Sequence, residues 1–186
     1  MSTAGASAAV RWVDARLVAP QADRGERFVC YASALLGAAF AFAVVRAAGL
    51  PLAAQLVVAA VAFDLFGGAV VNATRAAKRW FHRPGRTAGH HFAFVAVHVQ
   101  PFLLALAVPG FGWLAAAVGY GLAVAGAAAV LCAPPPLRRP VAFAVTVLAA
   151  AGVLALVPVP PELAWVIPVL LIKLLLAHLL AEGERP

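Results

Sequence analysis

Acidic residues are scarce in this chain, seven among 186, and charged residues of both signs make up only 11%. A soluble domain carries about a quarter charged residues. With 65% of the residues hydrophobic, a water-soluble core of this length cannot hide the excess, so the bilayer is expected to solvate most of the surface. Cysteine is limited to Cys30 and Cys132. They form neither a CxxC pair nor a Cys/His knuckle, and both fall near span ends expected to face a reducing compartment, so free thiols are expected. HExxH is absent, as is any basic stripe interleaved with stacking aromatics on a soluble fold. Nucleic-acid binding is thereby excluded as an expectation, and the net charge of +7 is read as topology and attraction to anionic headgroups.

The first 27 residues lack the apolar core of a signal peptide and carry Arg11, Asp14, Arg16, Asp23, Arg24, Glu26 and Arg27 at intervals. Within them Val10, Val13 and Leu17 share one helical face with Trp12 near its edge, which predicts a short interfacial helix. Segment 1–27 is thus read as a cytoplasmic or interfacial region, 28–181 as the membrane domain and 182–186 as a cytoplasmic tail.

Crossing a hydrocarbon core of ~30 Å takes about 20 apolar residues. Six stretches qualify: Phe28–Val45, Pro51–Thr74, Ala88–Val108, Trp113–Ala133, Val141–Val157 and Leu163–Ala181. Proline and glycine punctuate the junctions, as at Pro84-Gly85, Pro109-Gly110 and Pro134-Pro135-Pro136. The expected fold class is therefore all-α, an integral membrane bundle of six transmembrane helices. The fifth stretch is short at 17 residues, which leaves a five-span variant with a re-entrant segment open.

Charge placement orients the bundle. Of 14 Lys and Arg residues, all but Arg46 and Lys173 lie in the N-terminal segment, the Arg75–Arg86 loop, the Arg138-Arg139 loop or the C-terminal tail. An even span count puts all four segments on one side, and the positive-inside rule makes that side cytoplasmic. The expected location is the plasma or inner membrane, multi-pass, with both termini in the cytoplasm.

Spans one, four and five are nearly free of ionisable groups and carry small-xxx-small pairs such as Gly37/Ala41 and Gly119/Ala123, which suit close helix packing. Spans two and three differ. The second holds Asp64, Gly67, Gly68, Asn72 and Thr74; the third holds His90, His91, His98 and Gln100. A central Asp costs at least about 2.5 kcal/mol to insert, so an intramembrane acid is a functional-site hypothesis by default. Asp64 precedes Arg75 by 11 residues and His98 follows Arg86 by 12. At 1.5 Å per residue both fall roughly 16–18 Å from the basic loop. An antiparallel hairpin centred near Phe81 sets Asp64 beside His98 at depth and Asn72 beside His90 at the mouth.

Three functional readings fit that hairpin. In the first, Asp64 and His98 are an acid/base pair acting on a lipophilic or amphiphilic substrate, as in an isomerase or cyclase. Asn72, His90 and His91 then position the substrate; Phe63, Phe66, Phe94 and Phe102 line its apolar pocket; and Arg79 and Arg83 in the loop meet an anionic head. In the second, the pair carries protons for a small transporter or channel; the two halves of the chain lack matching broken helices, a symmetry that a homo-oligomer would restore. In the third, His90, His91, His98 and Asp64 ligate a metal or haem, but adjacent histidines diverge by about 100° on a helix, and no residue is assigned to a metal and no cofactor is specified. A hydrogen-bonded structural pair is the remaining explanation. The enzyme reading is preferred, with membrane lipids and a lipophilic small molecule as partners. Lys173 is expected either to snorkel or to pair with Asp64, His178 to reach the interface, and the surface of Gly67 and Gly68 to admit a neighbouring helix or a ligand.

Overall fold

The computed structural model describes residues 17–181, and among them every regular element is helical. The interfacial helix expected near Val10 falls outside the described residues. The elements are α1 (Arg24–Ala47), α2 (Leu52–Ala73), α3 (Arg75–Phe81), α4 (Ala88–Ala96), α5 (Gln100–Ala107), α6 (Trp113–Cys132), α7 (Arg138–Leu156) and α8 (Val166–Leu171), which runs on into a π-helical turn over Ile172–His178. Combined across their joins, these give six helices long and apolar enough to cross a membrane, the architecture of a multi-pass membrane protein. The short fifth stretch is among them. Its helix begins at Arg138 because Pro140 falls in the first turn, where a missing N–H is no loss.

The loops at one end of the bundle carry Arg75–Arg86 and Arg138-Arg139, here called the basic end. Side chains fix the chain there. Asp23 caps α1 by accepting from the Glu26 amide (2.8 Å), and Glu26 returns a bond to the Asp23 amide. Glu26 also accepts from the Ala76 amide, which ties the start of α1 to the start of α3. Thr74 ends α2 and caps α3 through the Ala77 amide.

The sixth span is the centre of the bundle, with half of its residues buried. Leu163, Val166, Ile167, Leu170, Leu171, Leu174 and Leu175 are all buried, and a helix apolar on every side belongs inside. It packs on α2, α6 and α7, while α1 packs along α2. Small residues permit the close approaches. A Cβ on Gly119 would lie 2.8 Å from Ile167, and one on Gly126 would lie 2.7 Å from Leu175.

Two irregularities position the polar groups. The third span is broken between α4 and α5. Pro101 cannot donate an N–H, so the ladder stops at Val97 and restarts at Gln100. The carbonyls thus exposed need donors. Tyr120 donates to Ala96 O (2.9 Å) and His98 Nδ1 to Phe94 O (2.6 Å). The second irregularity is the π-turn. In an α-helix residues five apart diverge by about 140°, whereas the wider turn of i→i+5 bonding brings them toward one face. The Leu179 amide bonds Leu174 O in that manner, and Lys173 and His178, five apart, are both buried.

Candidate functional site

Asp64 lies midway along α2. Its Oδ2 accepts from Lys173 Nζ (2.7 Å) and from Gln100 Nε2 (2.8 Å). Lys173 is 3% exposed and the Asp64 side chain 47%. The ammonium reaches the carboxylate over Gly68, where a Cβ would lie 2.6 Å from Lys173 Cε and 2.9 Å from its Nζ. Gly67 is filled in the same way, its missing Cβ 2.7 Å from Ala34. Both glycines are therefore close-approach positions, and the crevice beside them, lined by Phe63, Asp64, Cys30 and Tyr31 among others, holds about 120 Å³.

No hydrogen bond joins Asp64 to His98 among the described residues. His98 sits in the break of the third span, buried, and its bond to Phe94 O fixes the Nδ1–H tautomer and leaves the lone pair on Nε2. At the break it is Gln100, not His98, that donates to Asp64.

The remaining histidines gather at the basic end. His91 Nδ1 lies 3.2 Å from His178 Nε2. His82 stacks on His91 with ring centroids 4.4 Å apart, and its Nε2 donates to His178 O (2.9 Å). Burial holds the His82 imidazole below its ordinary value and the nearby Lys78 charge adds to that, while the bond to the His178 carbonyl opposes both. The His178 ring lies flat on Phe94, centroids 3.7 Å apart, and Phe94 in turn meets His98 at 4.7 Å. Phe94 thus separates the three outer imidazoles from the inner one. His178 Nδ1 is buried without a partner among the described residues.

Two cavities flank this cluster. The smaller, about 350 Å³, is lined by Phe81, Arg86, His90, His91, Phe94 and His178 among others. The larger, about 840 Å³, is a basin at the basic end with Lys78, His82, Arg86, His91, Arg138 and Arg139 in its wall and Leu131, Phe143, Leu176 and Leu180 beneath. Arg86 and His91 belong to both walls. The arrangement is an amphipathic recess with imidazoles in its wall.

Comparison with protein-family models, curated proteins and solved structures finds no match.

The other expected site residues are dispersed. His90 caps α4, its Nδ1 accepting from the Thr87 amide and facing the Thr87 hydroxyl at 2.9 Å, and it lines the smaller cavity. Asn72 is buried with its Nδ2 unpartnered among the described residues, and it does not line the cavity that His90 lines. Of the four phenylalanines, Phe63 adjoins Asp64, Phe94 joins the histidines, Phe66 packs on Trp165 (5.2 Å), and Phe102 packs on Tyr120 (5.3 Å). They do not line one pocket. Arg79 is exposed, and Arg83 lies over the Trp80 ring at 3.9 Å and bonds the Trp80 carbonyl. Neither lines the basin. Sequence reasoning missed His82, His178, Arg138 and Arg139 as site residues; the π-turn that brings in His178 has no signature in the α-helical period. Lys78 donates to Ala177 O and Leu180 O, fastening α3 to the end of the last helix. Among the described residues no group of three His, Cys, Asp or Glu side chains has metal-holding geometry.

Proposed function

We propose that this protein is a membrane-embedded enzyme performing acid–base chemistry on an amphiphilic substrate, with the imidazoles at the basic end as its proton-handling groups. The observation that carries the reading is the His91–His178 contact set in the wall between an aromatic pocket and a cationic basin. Neutral imidazole is an efficient donor and acceptor near neutral pH. His91, shared by both cavities, is the group assigned to the substrate. His178 orients it and takes up or returns its proton, and His82 stacks behind. His98 and Asp64 stay in the proposal in altered roles. His98 is a second, inner base through Nε2, and Asp64 neutralises Lys173. The basic end faces the cytoplasm in this reading, by the positive-inside rule, and the substrate enters from the surrounding lipid.

A second reading, proton-coupled transport, draws on the buried Lys173–Asp64 pair, since intramembrane ion pairs mark proton pathways. Phe94 weighs against it. The ring stands between His178 and His98 and passes no proton, so the side-chain hydrogen bonds do not form a continuous wire. The test uses purified protein in two forms. In detergent with a membrane-lipid extract, wild type should convert an amphiphile that the His91→Gln variant leaves unchanged. In proteoliposomes, flux driven by a pH gradient, with no conversion of any lipid, would overturn the enzyme reading in favour of transport.

A further inference from the structure

The basin at the basic end contains an unusual charge arrangement for its size. Three arginines from two separate segments, Arg86 ahead of α4 and Arg138 and Arg139 opening α7, line one cavity of about 840 Å³. Among the described residues no carboxylate lines that cavity and none pairs with any of the three. Arg138 uses its Nε on the Ala133 carbonyl (3.2 Å), which anchors the base of the guanidinium fork. Arg139 lies 6.0 Å over the Phe143 ring. Lys78, bonded to the carbonyls of Ala177 and Leu180, lines the same wall. Thr87 and Ala88 at the start of α4 and Arg138 at the start of α7 also line it, so two helix N-termini add their positive potential.

Positive-inside topology alone accounts for arginines on this side but not for their convergence on a concave wall. Arg79 and Arg83 show the contrast, being basic residues of the same loop that stay out of the cavity. Beneath the arginines the wall turns apolar, with Leu131, Phe143, Leu176 and Leu180. Guanidinium forks match the paired oxygens of phosphate, and the cavity volume is that of a small-ligand site.

We infer that the basin binds the phosphate head of a single-chain or prenyl-type amphiphile, with Arg86, Arg138 and Arg139 holding the head and the leucine-lined floor holding the start of the chain. The inference deepens the enzyme reading by naming its substrate class, and it rests on that reading only for the chemistry after binding. His91, on the basin wall, then stands beside the bound head.

The experiment is equilibrium binding of dodecyl phosphate, inorganic phosphate and dodecanol to the full chain in a neutral maltoside detergent. Wild type should bind dodecyl phosphate at least about tenfold more tightly than inorganic phosphate, with no saturable dodecanol binding. Arg138→Gln/Arg139→Gln and Arg86→Gln should each weaken dodecyl phosphate at least about tenfold. Arg79→Gln/Arg83→Gln, which removes equal charge outside the basin, should not; thermal melts matching wild type establish that each variant is folded. Equal loss in the Arg79/Arg83 variant would reduce the effect to general positive charge and overturn the inference. Equal affinity for inorganic phosphate would overturn the amphiphile assignment, and unchanged binding in the basin variants would overturn the site. A His178→Gln variant separates the two claims, because it should bind dodecyl phosphate as wild type does while losing turnover. Binding by wild type with no turnover of any lipid would sink the enzyme reading and leave this inference standing.

Discussion

Lys173 Nζ lies 2.7 Å from Asp64 Oδ2, and the contact is made across the bare backbone of Gly68. The two partners are unequally placed, since Lys173 is nearly inaccessible while Asp64 opens onto a crevice and keeps Gln100 as a second donor. Stranding a buried charge costs about 3–5 kcal/mol. Asp64→Asn strands the buried ammonium without an ionic partner, whereas Lys173→Met leaves a carboxylate that still accepts from Gln100 Nε2. Asp64→Asn should therefore lower the thermal midpoint in detergent more than Lys173→Met. The reverse order would mean that Asp64, not Lys173, carries the desolvation cost.

Gly68 gives an independent check on the same contact. An alanine there forces the end of the Lys173 side chain to shift, so Gly68→Ala should destabilise wild type by as much as that shift weakens the ion pair. In a Lys173→Ala background the crowding partner is gone and the same substitution should cost little. The two changes should thus be non-additive by more than the ~0.5 kcal/mol scatter of independent sites. Additive losses would place the clash elsewhere.

The sixth span explains why part of the site was legible and part was not. Hydropathy and the proline-glycine punctuation mark six apolar helices, and all six are present. Depth counting from the basic loop assumes straight α-helices. That assumption fails at Pro101, where the break moves His98 onto Phe94 O and sets Gln100 against Asp64. It fails again at the π-turn. At α-helical spacing Lys173 and His178 diverge, so nothing in the sequence pattern sends His178 inward to His91. The loop arginines are a third case. Their number is evident from the sequence, but the short α3 and the Trp80 contact decide that Arg83 lies outside the basin while Arg86 lines it.

His82 makes stability depend on pH with a definite sign. Its folded-state value is lowered, chiefly by burial, so the unfolded chain binds more protons as pH falls through the ordinary imidazole value. Stability contributed at this position is complete above that value and is lost as pH descends from it toward the folded value. The thermal midpoint of wild type should be lower at pH 5 than at pH 7.5, and His82→Gln should narrow that difference. A difference unchanged by the substitution would show that His82 is not its source.

His91 and His178 should act as one unit if their contact matters to function. His91→Gln and His178→Gln should each abolish most turnover, and the double variant should lose little more, the non-additivity expected of groups that share a step. Multiplicative losses would show two independent roles.

The measurement that bears most directly on the central claim is mass spectrometry of a membrane-lipid extract incubated with purified wild type and, in parallel, with the His91→Gln variant. Acid–base catalysis at His91 requires at least one amphiphile to be converted by wild type and spared by the variant. Extracts that stay identical to the no-protein control, while the same wild-type preparation moves a solute or protons across proteoliposomes, would contradict it.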